Sequence, residues 1–314
     1  MRINGTKRPA KTFVVIAPAI LMASYLVIGT LIPTTLSVFP GQLLNQVFAE
    51  TVTGTDGDDN LEGTDGDDEI EGKGGDDDID SKGGNDRNVG DNEFGDGNGG
   101  NDNINSGDGL FDTNIGDNEF GDGNGGDDVI TSGDNSGEGF DRNVGDNQVG
   151  NGNGGDDVIN SRDGNDENTG DNFFGAGDGG DDVINSGDGN DLNRGDNSNG
   201  NGDGGDDIIK SGAGDDTNIG DNFNNFNGDG DGGNDVIKSG KGNDVNFGDN
   251  FIGNVDGGDD KINAGQGDDE LTGSGGADKF NCGSGDDIVT DFLEAEGDKI
   301  TGNCELISQP ANNN

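Results

Sequence analysis

The sequence predicts an all-β chain wound as a parallel β-roll or β-solenoid with Gly-Asp-rich turns, preceded by an N-terminal hydrophobic helix. Three observations carry that prediction. Blocks containing Asp-x-aliphatic recur at a fixed nine-residue period near both ends of the array. Hydrophobic residues are only 25% of the chain and aromatics 5%, with 67 glycines and no tryptophan, so a thick two-layer core is hard to assemble. A net charge of -51, from 67 acidic against 16 basic residues, makes a compact chain repel itself unless cations are recruited.

The repeats come first. Lines at 54–62, 63–71 and 73–80 pair Asp59 with Leu61, Asp68 with Ile70 and Asp77 with Ile79. The same period returns at 255–290 in Asp260/Ile262, Asp269/Leu271, Asp278/Phe280 and Asp287/Val289. Between these ends the unit lengthens, as in "GDGGDDVIN", "SGDGNDLNR" and "GDNSNGN" at 177–201, to 25 residues. "GGDDVIN" is identical at 154–160 and 179–185, and "GDNEFGDGNGG" at 90–100 and 116–126. Insertions near 136–139 and 224–226 fit loops that bulge without moving the frame.

Each block reads as a turn followed by a short strand. Glycine and asparagine reach positive φ cheaply, and aspartate caps nearby backbone donors. Runs such as "VIN" are too short to stand alone and must pair with the same run in the next copy. In the central unit the first block sends inward Ile104, Ile130, Ile159, Ile184, Ile209, Ile237 and Ile262. The second supplies Asn88, Asn114, Asn143, Asn168, Asn193, Asn218 and Asn246, and the third Phe94, Phe120, Val149, Phe174 and Ile252, with Asn199 the exception. One coil per 25 residues with three faces stacks each series on itself, and an inward asparagine ladder is then satisfied copy to copy. The rival placement leaves the asparagines outside, in turns. Serine is read as an outward residue alongside asparagine and aspartate.

The expected organisation is a leader at 1–49, a regular nonapeptide roll at 50–81, the central solenoid at 82–254, a second regular roll with its cap at 255–300, and a flexible tail at 301–314. The leader carries Arg2, Lys7, Arg8 and Lys11 before an uncharged apolar run at 13–32, long enough to cross a bilayer. It is a signal peptide cleaved near Glu50, a retained transmembrane anchor or a buried core helix, and the first two place the array outside the cytosol. The only cysteines, Cys282 and Cys304, suit a single disulfide in an oxidising compartment, or are two unrelated small side chains.

Aspartates recur at the fixed point of the blocks: Asp59, Asp68, Asp77, Asp86, Asp102, Asp128, Asp157, Asp166, Asp182, Asp191, Asp207, Asp216, Asp235, Asp244, Asp260, Asp269, Asp278 and Asp287. In a solenoid they stack in columns about 4.8 Å apart. Unit charges at that spacing repel by about 3.5 kcal/mol at an effective dielectric of about 20. A hard divalent cation relieves this, and calcium suits an irregular oxygen set better than magnesium. Several Ca²⁺ ions are therefore expected, with these aspartates as metal ligands. Zinc, copper and iron lack their preferred donors, because there is no histidine.

The same composition argues against other functions. Nucleic acid and anionic membrane surfaces want the opposite charge, so a membrane is expected only through an uncleaved leader. Ser–His and Cys–His catalysis cannot be built without histidine. Paired-carboxylate chemistry needs two acids in unlike environments, whereas these environments repeat. No catalytic residue is expected, and the chain reads as a non-enzyme.

The blocks at 54–72 and 264–292 resemble the nonapeptide calcium-binding repeats of RTX, or hemolysin-type, proteins, and "TDFLEAEGDKI" at 290–300 resembles the segment that often closes such arrays. The resemblance implies a β-roll with Ca²⁺ in its turns that folds on meeting extracellular calcium. It also implies carboxylate ligation by Asp59, Asp68, Asp77, Asp260, Asp269, Asp278 and Asp287. Across 82–254 the match is degenerate, since asparagine replaces the aliphatic in alternate blocks. The expectation is a secreted or cell-surface calcium-binding repeat protein, adhesive or part of a surface layer or matrix, with cell-surface components as partners. The alternatives are a calcium-dependent targeting module and a carbohydrate- or ice-contacting face; the ladder of threonines that the latter requires is not seen in the outward positions.

Overall fold

A run such as Val158–Asn160 buries its isoleucine and leaves both flanking side chains half exposed. Its backbone donors find partners only in the copy one coil away, where Val158–Asn160 pairs in parallel with Val183–Asn185. A computed structural model of the chain describes residues 49–306, apart from 93, 135–138, 176, 199–201, 224–229, 250–256 and 303. The leader up to residue 48, Asn199 and Ile252, most of both inserted stretches and the tail from 307 lie outside the described residues.

Successive strands alternate between two parallel sheets, so each coil contributes one strand to each. An eleven-stranded sheet runs from Asn60–Glu62 to Lys299–Thr301 and carries the isoleucines inward; a twelve-stranded sheet runs from Thr51–Thr53 to Cys304–Leu306 and carries the asparagines. We refer to them as the isoleucine and asparagine sheets. Among the described residues no helix is long and apolar enough to cross a membrane.

The register fixes the coil. Ile159 pairs with Ile184, which pairs with Ile209, while Asn168 pairs with Asn193 and Asn193 with Asn218. A central turn therefore takes 25 residues, and at the ends, where Leu61 pairs with Ile79 and Ile262 with Phe280, it takes 18. The insertions do leave the frame alone. Ile130 stays in register with Ile159, and Ile209 with Ile237, although equivalent aspartates there are 29 and 28 residues apart.

The asparagines face inward as a ladder. Asn88, Asn114, Asn143, Asn168, Asn193 and Asn218 each donate the side-chain amide to the next copy's Oδ1 at 2.9–3.0 Å, and all are fully buried. Their remaining amide hydrogen goes to a serine hydroxyl, as from Asn168 to Ser161 at 2.9 Å and from Asn193 to Ser186 at 3.0 Å. Those serines correct the sequence reading, which placed serine outside. Ser81, Ser106, Ser132, Ser161, Ser186, Ser211 and Ser239 are all fully buried. Each stands two residues after an inward isoleucine, and strand alternation returns it to the same face.

The third series is a second correction. Phe94, Phe120, Val149 and Phe174 do stack from coil to coil through parallel backbone bridges, and the rings of Phe94 and Phe120 lie 5.3 Å apart. They point outward, however, with 71% of Phe94 and 38% of Phe174 exposed. The third segment forms isolated bridges rather than a strand, so the two-residue alternation that predicted an inward side chain does not extend through it. Its inward positions are polar: Asn118, Asn147 and Asn172 are fully buried and donate to the turn carbonyls of Gly97, Gly123 and Gly152 at 3.0–3.2 Å. The third side is thus a column of bridges beside two sheets.

The outer side of the asparagine sheet is covered as well. Val89, Ile115, Val144 and Ile219, which follow the ladder asparagines, are fully buried. Arg142 and Arg194 lie over the ring of Phe173 from the third segment, 4.9 and 5.7 Å from its centroid. Both arginines also pair with Glu167, at 2.9 and 3.0 Å. At the C-terminal end Cys282 and Cys304 are joined by a disulfide with Cα atoms 5.7 Å apart.

Candidate metal centre

The sequence-predicted aspartates fall into two columns, one at the entrance to each sheet. Asp59, Asp77, Asp102, Asp128, Asp157, Asp182, Asp207, Asp235, Asp260 and Asp278 precede the strands of the isoleucine sheet. Asp68, Asp86, Asp166, Asp191, Asp216, Asp244, Asp269 and Asp287 stand at the equivalent point of the asparagine sheet. Each column is a hydrogen-bonded rail: the backbone N–H of one aspartate donates to Oδ1 of the aspartate in the next coil. Asp102 donates to Asp128, Asp128 to Asp157 and Asp157 to Asp182 at 2.6–2.7 Å. On the other rail Asp166 donates to Asp191 and Asp191 to Asp216 at 2.8–2.9 Å.

One oxygen of each carboxylate is therefore structural, and in both columns the other is left over. In the asparagine column Oδ2 of Asp86, Asp166, Asp191, Asp216, Asp244, Asp269 and Asp287 is buried with no hydrogen-bond partner. In the isoleucine column Oδ2 of Asp77, Asp102, Asp128, Asp157, Asp182, Asp207, Asp235 and Asp260 is buried with no hydrogen-bond partner. That oxygen points at the glycine closing the preceding block. A Cβ on Gly116 would lie 1.8 Å from Asp128 Oδ2 and 1.8 Å from the Gly145 carbonyl oxygen, and Gly145 meets Asp157 and Gly170 in the same way. Only glycine fits here, and the space it leaves is lined by oxygen.

Burial makes these carboxylates hard to ionise without a cation. Burial, reinforced by the charges of Asp91 and Asp117, pushes Asp102 up to about 9. Asp260 rises to about 9 through burial and the charge of Asp249, and Asp166 to about 8 through burial and the charges of Asp141 and Asp191. Asp128, Asp157 and Asp182, fully enclosed, are raised well above the ordinary carboxylate range by the same causes.

Two groups of aspartates were missed by the sequence reading. Asp112 and Asp141 complete the asparagine rail between Asp86 and Asp166. They escape the block signature because Phe111 and Phe140 precede them, although their place two residues before Asn114 and Asn143 gives them away. The second group is the aspartate of each "GDN" triplet: Asp91, Asp117, Asp146, Asp171, Asp196, Asp221 and Asp249. All are at most 1% exposed and accept from a glycine N–H of the next block, as from Gly100 to Asp91 at 2.9 Å and Gly126 to Asp117 at 3.0 Å. The signal was the recurrence of the triplet itself, which had been read only as part of a short block.

The donor set suits calcium. Among the described residues the columns offer carboxylate and carbonyl oxygens only, both cysteines are tied in the disulfide, and unpartnered buried oxygens recur coil after coil. The RTX calcium-binding nonapeptide repeat matches the chain in four copies, at 53–87, 176–192, 229–252 and 255–289. No curated protein and no solved structure matches it. The outer copies cover the stretches whose coils take 18 residues, and the inner ones fall in the longer central coils. The chain carries the RTX calcium-binding nonapeptide repeat in four copies, and in its central part the coil lengthens to 25 residues.

Proposed function

We propose that the array is a calcium-assembled scaffold outside the cytosol, non-enzymatic, serving as an adhesive, surface-layer or matrix component. The observation that carries this is the aspartate columns, in which a buried carboxylate oxygen is left without a partner coil after coil, as in Asp102, Asp128 and Asp157 of one column and Asp166, Asp191 and Asp216 of the other. Such a column is costly as a set of bare anions and becomes a ligand row once cations enter. The aspartates of both rails are the proposed ligands, and the residues at 1–49 act as a cleaved export signal or a retained anchor. The near-identical carboxylate environments down the array favour repetitive ion binding over catalysis, which needs acids of unlike character. Cell-surface or matrix components are the proposed partners.

The test is calcium-dependent folding of residues 51–314 made without the leader. The β circular-dichroism signal should be largely absent in chelator and appear with calcium at about millimolar level, with magnesium a much poorer inducer. Equal signal in excess chelator refutes the proposal.

A further inference from the structure

The GDN aspartates do not form a separate column. Asp117, Asp128 and Asp146 each place a carboxylate oxygen within 4.8 Å of the others, and so do Asp91/Asp102/Asp117, Asp146/Asp157/Asp171 and Asp196/Asp207/Asp221. Each group joins two GDN aspartates from successive coils to one isoleucine-column aspartate between them. Asp117 therefore belongs to two groups, and Asp146 likewise. The side chains of Asp117 and Asp146 lie within hydrogen-bonding reach of each other. Asp91, Asp117 and Asp146 each keep one buried oxygen without a partner, as does Oδ2 of Asp102, Asp128, Asp157 and Asp207. Glycine lines the gap: a Cβ on Gly125 would fall 1.4 Å from Asp146 Oδ1 and 2.7 Å from Asp117 Oδ2, and Gly154 stands in the same relation to Asp171 and Asp146.

We infer that a file of divalent cations, one per central coil, runs along this edge, each ion held by two GDN aspartates and one isoleucine-column aspartate. The charges set the stoichiometry. Each central coil adds one GDN carboxylate and one isoleucine-column carboxylate to the edge, and one divalent ion neutralises that pair. Because Asp117 and Asp146 are each shared by two groups, loading is cooperative: an ion in one group orders one of the three aspartates of the next. The nonapeptide ends have no GDN block, so the file is confined to the longer coils. The inference rests on the array being calcium-binding and adds a set of sites that the nonapeptide pattern does not contain.

The test is the number of calcium ions bound by the full-length protein, measured by equilibrium dialysis, for the unaltered chain and for Asp146→Asn. The substitution keeps one oxygen at Oδ1 but removes the charge shared by two groups; loss of about one to two ions per chain and a shallower loading curve are expected. Unchanged stoichiometry with unchanged steepness overturns the file while leaving calcium binding intact. Absence of calcium binding by the unaltered chain overturns the calcium reading and the file together. Anomalous diffraction from crystals of the unaltered chain grown with terbium decides the matter if the variant does not fold. A peak between Asp117, Asp128 and Asp146, at about 2.5 Å from their oxygens, is expected. Peaks in the nonapeptide turns alone refute the file.

Discussion

Asn168 donates its side-chain amide to Asn193 Oδ1 across 2.9 Å in an interior where neither residue is exposed. Asn193 passes the contact on to Asn218 and gives its second hydrogen to Ser186. Asn193→Leu breaks this chain at its middle, leaving an Asn168 donor and the Asn218 and Ser186 acceptors unmatched. The expected cost is about 1–3 kcal/mol of stability in calcium. Asn263, on the solvent side of its strand, serves as comparison, and its replacement by threonine should cost under about 0.5 kcal/mol. Denaturant titration of both variants measures the difference; equal costs would mean that the ladder contributes nothing beyond its backbone pairing.

The cradle glycines give a sharper contrast. Gly125→Ala drives a methyl into the Asp146 and Asp117 carboxylates, whereas a Cβ on Gly57 meets nothing within 4 Å. Overpacking at Gly125 should cost about 1–3 kcal/mol and raise the calcium concentration needed for folding. Gly57→Ala should leave both within error. Calcium titrations followed by circular dichroism compare the two midpoints.

Much of this was legible because the repeat prints its register in the sequence. Ile159 and Ile184 occupy the same place in identical heptapeptides, and once stacking is assumed, the coil length and the inward asparagines follow. The sequence reading went wrong where it carried the strand period past the end of a strand. Phe120 was placed inside by that extrapolation, and Ser161 outside by taking only one inward side chain per run. The GDN aspartates were invisible for another reason. Asp146 meets Asp157 only because the chain turns between them, and nothing local in "GDN" says which carboxylate it will face.

Acidity should act on the ion-free array in an unusual direction. The folded state holds Asp77, Asp86 and Asp269 near 6, Asp112, Asp216 and Asp244 near 7, Asp166 near 8 and Asp102 near 9, mainly through burial, against an ordinary aspartate value of about 3.9 in the unfolded chain. A carboxyl whose folded value is raised favours the folded state when protonated. Its contribution is fully present below about 4 and is lost as pH climbs through the folded values, from about 6 to about 9. In chelator, β structure should therefore be greater at about pH 4.5 than at about pH 9. Calcium replaces the protons, so in excess calcium the dependence should largely vanish, and binding near neutrality should release protons into weak buffer. A chelated array that gains structure with rising pH would contradict this assignment.

The disulfide should protect only its own end. Cys282 lies in the apolar interior after the strand Lys279–Asn281, and Cys304 opens the last strand, 22 residues on. Closing a loop of that length is worth up to about 3 kcal/mol by restricting the unfolded chain. In a solenoid each coil contacts only its neighbours, so the benefit stays local. Cys282→Ser with Cys304→Ser should speed amide hydrogen exchange across the strands Lys279–Asn281, Lys299–Thr301 and Cys304–Leu306. Exchange around the asparagine ladder from Asn114 to Asn218 should be unchanged, because those bonds lie several coils away. Hydrogen exchange read by mass spectrometry resolves the two regions, and a uniform loss of protection along the whole array would show that the coils fold as one cooperative unit rather than as neighbours.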